Sequence, residues 1–297
     1  MSELSLRSTA FVTFYSFKGG VGRSMALINV AGILAGRGVR VLVMDMDLEA
    51  PGISFLEGVQ PEHPGFVDIV LDAVERGGQA DLFSRSPGEL VELYSYRYEL
   101  PESIVEDEGG LLRIMPAGRF GDGRYQSRLD RLGLGRRYRE GSGKPLVTAI
   151  KTVIREARSF DLVLIDSRTG FSDESGVCTR DLGDHLVVVM GLNRQNVEGT
   201  ANFFRALRAS GTCPHDVRVV VSPVPQGEDD LVDEREAVAS RRLSEAWGEP
   251  IEPSVRVPYH PRLALTDEPH IFRSDRGGLY DAYRRCERMV LEMLGSG

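Results

Sequence analysis

Lysine is scarce in this chain of 297 residues: Lys18, Lys144 and Lys151 are the only three among 36 Lys and Arg. Cysteine is also rare. Cys178, Cys213 and Cys286 lie far apart with no CxxC pair, which excludes a disulfide framework or a zinc knuckle and leaves ordinary buried or half-buried thiols. The five histidines are scattered and form no HExxH or Ser/His/Asp pattern, so hydrolase chemistry of those kinds finds no support. Long apolar runs are missing too. Leu186–Met190 and Met25–Leu34, the latter broken by Asn29, fall short of the roughly 18 residues a membrane span needs. Met1–Thr9 is polar and carries Glu3 and Arg7 where a secretory signal has an apolar core, so the expected location is the cytoplasm.

What is present is a globular composition, 41% hydrophobic and 27% charged with a formal net charge of -8, which rules out a disordered or fibrous chain. Short apolar, β-branched runs recur at 11–16, 39–44, 111–115, 161–165, 185–190, 217–222 and 255–257. Most are apolar throughout, as strands covered on both faces are. Helical patterns lie between them at 22–35, 66–76, 125–138, 146–158, 196–209, 233–247 and 279–294. The expectation is an α/β fold over 1–297 as a single domain, a mostly parallel sheet with helices on both faces. Irregular excursions are expected at 57–65, 94–110 and 226–230. Tyr94, Tyr96 and Tyr98 alternate as on an exposed strand edge. The last helix carries Leu279, Tyr283, Cys286, Val290 and Met293 at helical spacing, and its Glu287 and Glu292 favour packing on the sheet over membrane targeting. From Arg113 to Arg158 there are twelve Lys or Arg against four Asp or Glu, which reads as an arginine-studded solvated face or a surface for a polyanion.

The most specific segment is Phe11-Val-Thr-Phe-Tyr-Ser-Phe-Lys18-Gly19-Gly20-Val21-Gly22-Arg23-Ser24, a strand running through a glycine-rich turn into a helix. Glycines let successive N–H groups and a helix N-terminus approach phosphate oxygens, and the Ser24 hydroxyl falls where it can serve Mg²⁺. The common P-loop pattern GxxxxGK[ST] fails at Phe17 and Arg23, and the dinucleotide pattern GxGxxG fails at Met25. KGGxG[K/R][ST], the deviant Walker A motif, fits. Two acidic strand ends accompany it: Met44-Asp45-Met46-Asp47, and Leu162-Val163-Leu164-Ile165-Asp166 in the Walker B form.

On these three motifs the chain resembles the ParA/MinD family of cytoplasmic P-loop ATPases, in a subgroup spelled KGGVGR. The resemblance implies a phosphate cradle from Gly19, Gly20, Val21, Gly22, Arg23 and Ser24, with ATP and Mg²⁺ as cofactors. It implies that Lys18 reaches across a nucleotide-sandwiched homodimer to the partner's phosphates and that Asp47 orients the attacking water. Asp166 is expected to hold the Mg²⁺ shell with Ser24, Asp45 to support that shell or the loop, and the Gly170 backbone to sense the γ-phosphate. Arg23 in place of the usual lysine can grip β- and γ-phosphate oxygens bidentately, which favours nucleotide binding over fast turnover. Arg168 stands where the family has an uncharged turn. The adenine pocket is expected from 222–225 and 257–259. The likeness further implies a protein partner, in the style of bacterial signalling or defence assemblies. It also keeps two alternatives open, a nucleotide-binding scaffold without turnover and a partitioning-type ATPase on nonspecific DNA.

Overall fold

Eight strands are present: β1 (Ala10–Tyr15), β2 (Arg40–Met46), β3 (Tyr96–Arg97), β4 (Leu111–Met115), β5 (Leu162–Ser167), β6 (His185–Met190), β7 (Val217–Val224) and β8 (Pro253–Pro258). In the computed structural model, which describes residues 8–273 and 276–295, they form one sheet in the order β3-β4-β2-β5-β1-β6-β7-β8. All neighbours are parallel except the edge pair β3 and β4. The segment 1–7, on which most of the export reading falls, lies outside the described residues. Helices fill the connections: α1 (Arg23–Gly36), α2 (Phe66–Arg76), α3 (Gln79–Ser84), α4 (Pro87–Tyr94), α5 (Tyr125–Leu132), α6 (Leu134–Arg139), α7 (Gly143–Ala157), α8 (Asp173–Gly176), α9 (Arg194–Ala209), α10 (Asp229–Trp247) and α11 (Gly278–Gly295).

The central strands carry apolar residues on both faces because successive side chains point to opposite faces and both faces are covered. Val12, Phe14, Val41, Val43, Leu162 and Leu164 join the core under α1 and α11. Their alternates Phe11, Leu42, Met44, Val163 and Ile165 join the core with α2, α4 and α7, while Tyr15, Leu186, Val188 and Val219 pack with α9 and α10. The run from Met25 to Leu34 is a core helix enclosed on nearly all sides. Each Leu or Ile it buries contributes about 1.5–3 kcal/mol. Asn29 does not break this helix. Its Nδ2 donates to the Met25 carbonyl and its Oδ1 accepts the Ile271 amide at 2.9 Å, which pins the turn His270–Phe272 onto α1.

The final helix packs as expected: Leu279, Tyr283, Cys286, Val290 and Met293 are buried, and the buried Glu287 accepts from Arg37 Nη1 at 2.5 Å. Among the described residues no helix is long and apolar enough to cross a membrane. Cys178 and Cys286 are buried, whereas Cys213 is exposed. Two expectations need correction. The helix read as 125–138 divides at Gly133, whose left-handed backbone (φ 48°) ends α5 and starts α6. Tyr96 on β3 and Tyr98 just after it do lie at the sheet edge, whereas Tyr94 ends α4, and all three are buried rather than exposed. The Tyr98 hydroxyl donates to the Glu57 carbonyl, Tyr96 accepts the Gln60 amide, and Tyr94 donates to Asp72, so these rings cap the edge with their polar tips satisfied.

Seven of the twelve cations in the basic segment form ion pairs. Arg119, Arg128, Arg131, Arg139, Lys144, Lys151 and Arg155 each meet an Asp or Glu of a neighbouring element. This favours the solvated-face reading over a polyanion surface.

Candidate functional site

Parallel strands deliver their carboxyl ends to one edge, and β1 lies there between β5 and β6, where chain order reverses and open α/β sheets bind ligands. The turn from β1 to α1 sits at that point. Gly20 (φ 77°) and Gly22 (φ 78°) are left-handed, a conformation that side-chain-bearing residues rarely adopt. A Cβ on Gly19 or Gly20 would meet nothing within 4 Å, so the outer wall of the turn faces open space, while buried Val21 anchors the turn in the core. Gly22 caps α1 without a side-chain acceptor, and the first helical turn holds no acid. Its amides and the positive end of the helix dipole are left for an anion. Lys18 is exposed on the same turn and forms no ion pair with the described residues.

The acids arrive from two neighbouring strands. Asp45 and Asp166 are register partners on β2 and β5, and Asp47 follows one residue past the end of β2. Between Asp47 and Asp166 lies Arg23, only 6% exposed. Its Nε donates to Asp166 Oδ1 at 2.5 Å and its Nη2 to Asp47 Oδ2 at 3.0 Å. Ser24 Oγ donates to the other Asp166 oxygen at 2.5 Å. The guanidinium is thus aimed at carboxylates, where the sequence suggested phosphate oxygens. Burial opposes its charge, but Asp166 and Asp47 override that and hold it firmly protonated. Burial pushes the Asp47 carboxyl up, against the pull of Arg23 and Arg168. Asp45 is raised further by complete burial and by Asp166 and Asp47 beside it. Of the two roles read for Asp45, its hydrogen bonds serve the loop: Oδ1 accepts the Asp47 amide at 3.2 Å and Oδ2 accepts the Ser54 amide at 3.1 Å.

After β5 the chain runs through Arg168 and Gly170. Arg168 Nη2 pairs with Glu49 Oε2 at 2.5 Å, which ties this segment to the loop after Asp47. The Gly170 amide, read as a γ-phosphate sensor, instead donates to the Ser16 carbonyl at 3.3 Å, and its own carbonyl accepts from Tyr15 and Ser175. Beside Gly19 and Gly20 opens a cleft of about 720 Å³, walled by Pro223, Pro225 and Leu231 and reaching Asn193 and Asn196 at the start of α9. Residues 222–225 therefore contribute to it through the two prolines, but 257–259 do not line it.

The model of the CobQ/CobB/MinD/ParA nucleotide-binding domain family (CbiA) matches residues 12–212. The chain belongs to this family. No curated protein sequence matches it. Among solved structures, the septum site-determining protein MinD of Pyrococcus horikoshii OT3, in complex with Mg-ADP, superposes with a TM-score of 0.62 at 15% identity, covering 95% of this chain and 96% of that one. A ParA-family ATPase from Chlorobium tepidum TLS gives 0.62 at 14% identity over 94% and 99% of the two chains. The MinC:MinD cell division complex of Aquifex aeolicus gives 0.53 at 16% identity over 96% of each. At these identities the likeness shows the fold, that of a MinD/ParA P-loop nucleotide-binding domain.

In this MinD/ParA-family domain the donor set at the strand ends is hard oxygen: two carboxylates and the Ser24 hydroxyl. Among the described residues no three His, Cys, Asp or Glu side chains form a protein-only metal cage. Such a set fits Mg²⁺, which is usually held by one or two carboxylates together with substrate phosphates. Asn193 and Asn196 escaped the sequence reading, although Asn193 carries a visible signal. Its side chain caps α9 by accepting the Asn196 amide at 3.0 Å, as Asn does at helix starts.

Proposed function

We propose that the chain is a Mg·ATP-dependent molecular switch that hydrolyses ATP slowly, pairs with a second copy around the nucleotide and passes its state to a protein partner. One observation carries this reading: the glycine turn, Asp47 and Asp166 converge at one sheet edge within reach of a single guanidinium. The amides of Gly19–Ser24 and the start of α1 would cradle the phosphates. Mg²⁺, held by Ser24 and Asp166, would supply charge neutralisation at the phosphate being transferred. Asp47 would orient the attacking water. Exposed Lys18 would reach the phosphates bound by the second copy. The base would enter the cleft beside Gly20, against Pro223, Pro225 and Leu231. Mg-ADP and MinC accompany the MinD relatives, and the corresponding occupants here are a Mg-nucleotide and an unidentified protein of a signalling or defence system. The cytoplasm is the place this reading assigns. The DNA-riding alternative draws no support from the basic segment, whose charges are largely paired within the chain.

A second reading, a nucleotide-binding scaffold without turnover, is favoured by one contact: Arg23 engages Asp47, the acid assigned to the water. Phosphate release from Mg·ATP separates the two. The switch releases phosphate and loses that activity in Asp47→Ala while still binding nucleotide; the scaffold binds tightly and releases none. Mass in solution is expected to double on exchanging ADP for a slowly hydrolysed ATP analogue, and Lys18→Ala to abolish the doubling. No calorimetric heat with adenine or guanine triphosphates would end both readings.

A further inference from the structure

We infer that Arg23 is the resident counter-ion of Asp47 and Asp166, so that its guanidinium and a divalent metal exclude one another at these acids. The guanidinium is engaged on every nitrogen. Nε and Nη2 point to different strands' carboxylates at 2.5 and 3.0 Å, Nη1 lies 3.4 Å from Ser16 Oγ, and Nη2 lies 3.5 Å from Ser24 Oγ. With Ser24 donating to the second Asp166 oxygen at 2.5 Å, both oxygens of that carboxylate are engaged inside the chain. A metal that draws on Asp166 and Ser24 must take atoms the guanidinium and hydroxyl now use, and two cations a few ångströms apart in a dry pocket repel strongly.

A lysine could not do the same. Its ammonium is one compact charge, whereas the planar fork of arginine presents donors in two fixed directions and bridges acids from two strands at once. The chain keeps lysine at position 18, which faces solvent, and places arginine at 23, which faces acids.

The consequence is an order of events. Metal alone finds both acids already engaged by the guanidinium. A phosphate tail offers the guanidinium another anion, and transfer of Arg23 from Asp166 to phosphate frees the acids for metal. Nucleotide and metal then bind as a coupled pair, each raising the affinity of the other. The same transfer releases Asp47, so entry of the tail also frees the loop after β2. This inference rests on the Mg-nucleotide reading above, but its decisive test uses no nucleotide.

Mn²⁺ is titrated into the full chain and followed by electron paramagnetic resonance. Wild type is expected to leave Mn²⁺ free. Arg23→Ala is expected to bind one Mn²⁺ per chain at least about tenfold more tightly, and adding Asp166→Asn is expected to remove the gain. Thermal melting gives a second readout: Mn²⁺ raises the melting temperature of Arg23→Ala and leaves wild type unchanged. Should Arg23→Ala fail to fold, Arg23→Lys replaces it, with a smaller gain expected because one ammonium cannot hold both acids. Equal Mn²⁺ binding by wild type and the position-23 variant, or a gain that survives Asp166→Asn, overturns the inference. Calorimetry of wild type with Mg·ATP is a separate arm: silence there removes the functional reading and leaves the Mn²⁺ result to stand or fall alone.

Discussion

At the carboxyl end of the central strands two carboxylates, Asp47 and Asp166, hold the Arg23 guanidinium with the buried Asp45 beside them, whereas at the amino end a single carboxylate, Asp184, draws two cations and an amide. Asp184 accepts from Lys151 at 2.7 Å, from Arg155 at 2.8 and 3.0 Å and from the Phe11 amide at 3.0 Å, and both cations lie over the Phe11 ring. One end is saturated by the chain itself and fastens α7 to β1. The other holds three carboxyls to one guanidinium, and burial first, with the neighbouring acids adding to it, raises the carboxyls of Asp45 and Asp47. Natural folds concentrate such local inconsistency at functional sites. The two ends therefore separate fastening from function, and substitutions can test whether they do.

The largest effect is expected from exchanging the same chemistry at the two ends. Asp166→Asn is expected to weaken Mg-nucleotide binding by about 100-fold while changing stability by no more than about 1 kcal/mol. The amide oxygen can still accept from Arg23, Ser24 can accept where it now donates, and repulsion with Asp45 is relieved. Asp184→Asn is expected to do the reverse. It leaves Lys151, whose ammonium burial already disfavours, without its carboxylate, and should lower unfolding free energy by about 2–3 kcal/mol. Nucleotide affinity should be unchanged below the melting temperature. Urea melts paired with calorimetry on both variants check this, and a stability loss in Asp166→Asn as large as that in Asp184→Asn would erase the distinction.

Acid acts on the amino-end carboxylate. Burial works against the Asp184 charge, but Lys151 and Arg155 hold its carboxyl below the usual range. A folded value below the unfolded one, about 3.9, means the stabilisation is present above that unfolded value and is lost as pH falls through the folded one. The difference in urea midpoint between wild type and Asp184→Asn should therefore be widest near pH 7 and close in acid. A gap that stayed constant would assign the loss to packing rather than charge.

How much of this was legible in the sequence depends on the scale of the interaction. The sheet could be read because both faces are covered, so runs such as Leu162–Ile165 are apolar at every residue. The three motifs could be read because each lies at a strand end, and parallel strands bring those ends together. What Arg23 faces could not be read. Its partners are 24 and 143 residues away, and its direction is set by how closely β5 and β2 approach α1. The hydrogen bonds of Asp45 were hidden for the same reason, since Ser54 sits in a single 3-10 turn, Ile53–Phe55, too short to carry a periodic pattern. Helices α3 and α4 were passed over although Ser86-Pro87 is a recognisable helix start. The break at Gly133 went unread because a helical pattern continues across it and only the left-handed backbone shows two segments.

The smallest effect concerns the partly exposed ion pairs. Arg40 at the amino end grips Asp161 through Nη2 at 2.6 Å and Nε at 3.1 Å, and its backbone amide donates to the same carboxylate at 2.9 Å. Arg168 at the carboxyl end meets Glu49 at 2.5 Å, and the two belong to loops. Fork geometry held by strand backbone loses less side-chain freedom than a pair carried by two loops, so the first pair should stand at the upper end and the second at the lower end of the roughly 0.2–1 kcal/mol measured for exposed pairs. Double-mutant cycles on stability, Arg40→Ala with Asp161→Ala and Arg168→Ala with Glu49→Ala, are expected to give couplings of about 1 and about 0.3 kcal/mol respectively. Both should shrink in about 1 M salt. The reverse order would mean that the loops flanking Asp47 and Asp166 are fastened as firmly as the amino end, against a switch in which phosphate entry frees the loop after β2.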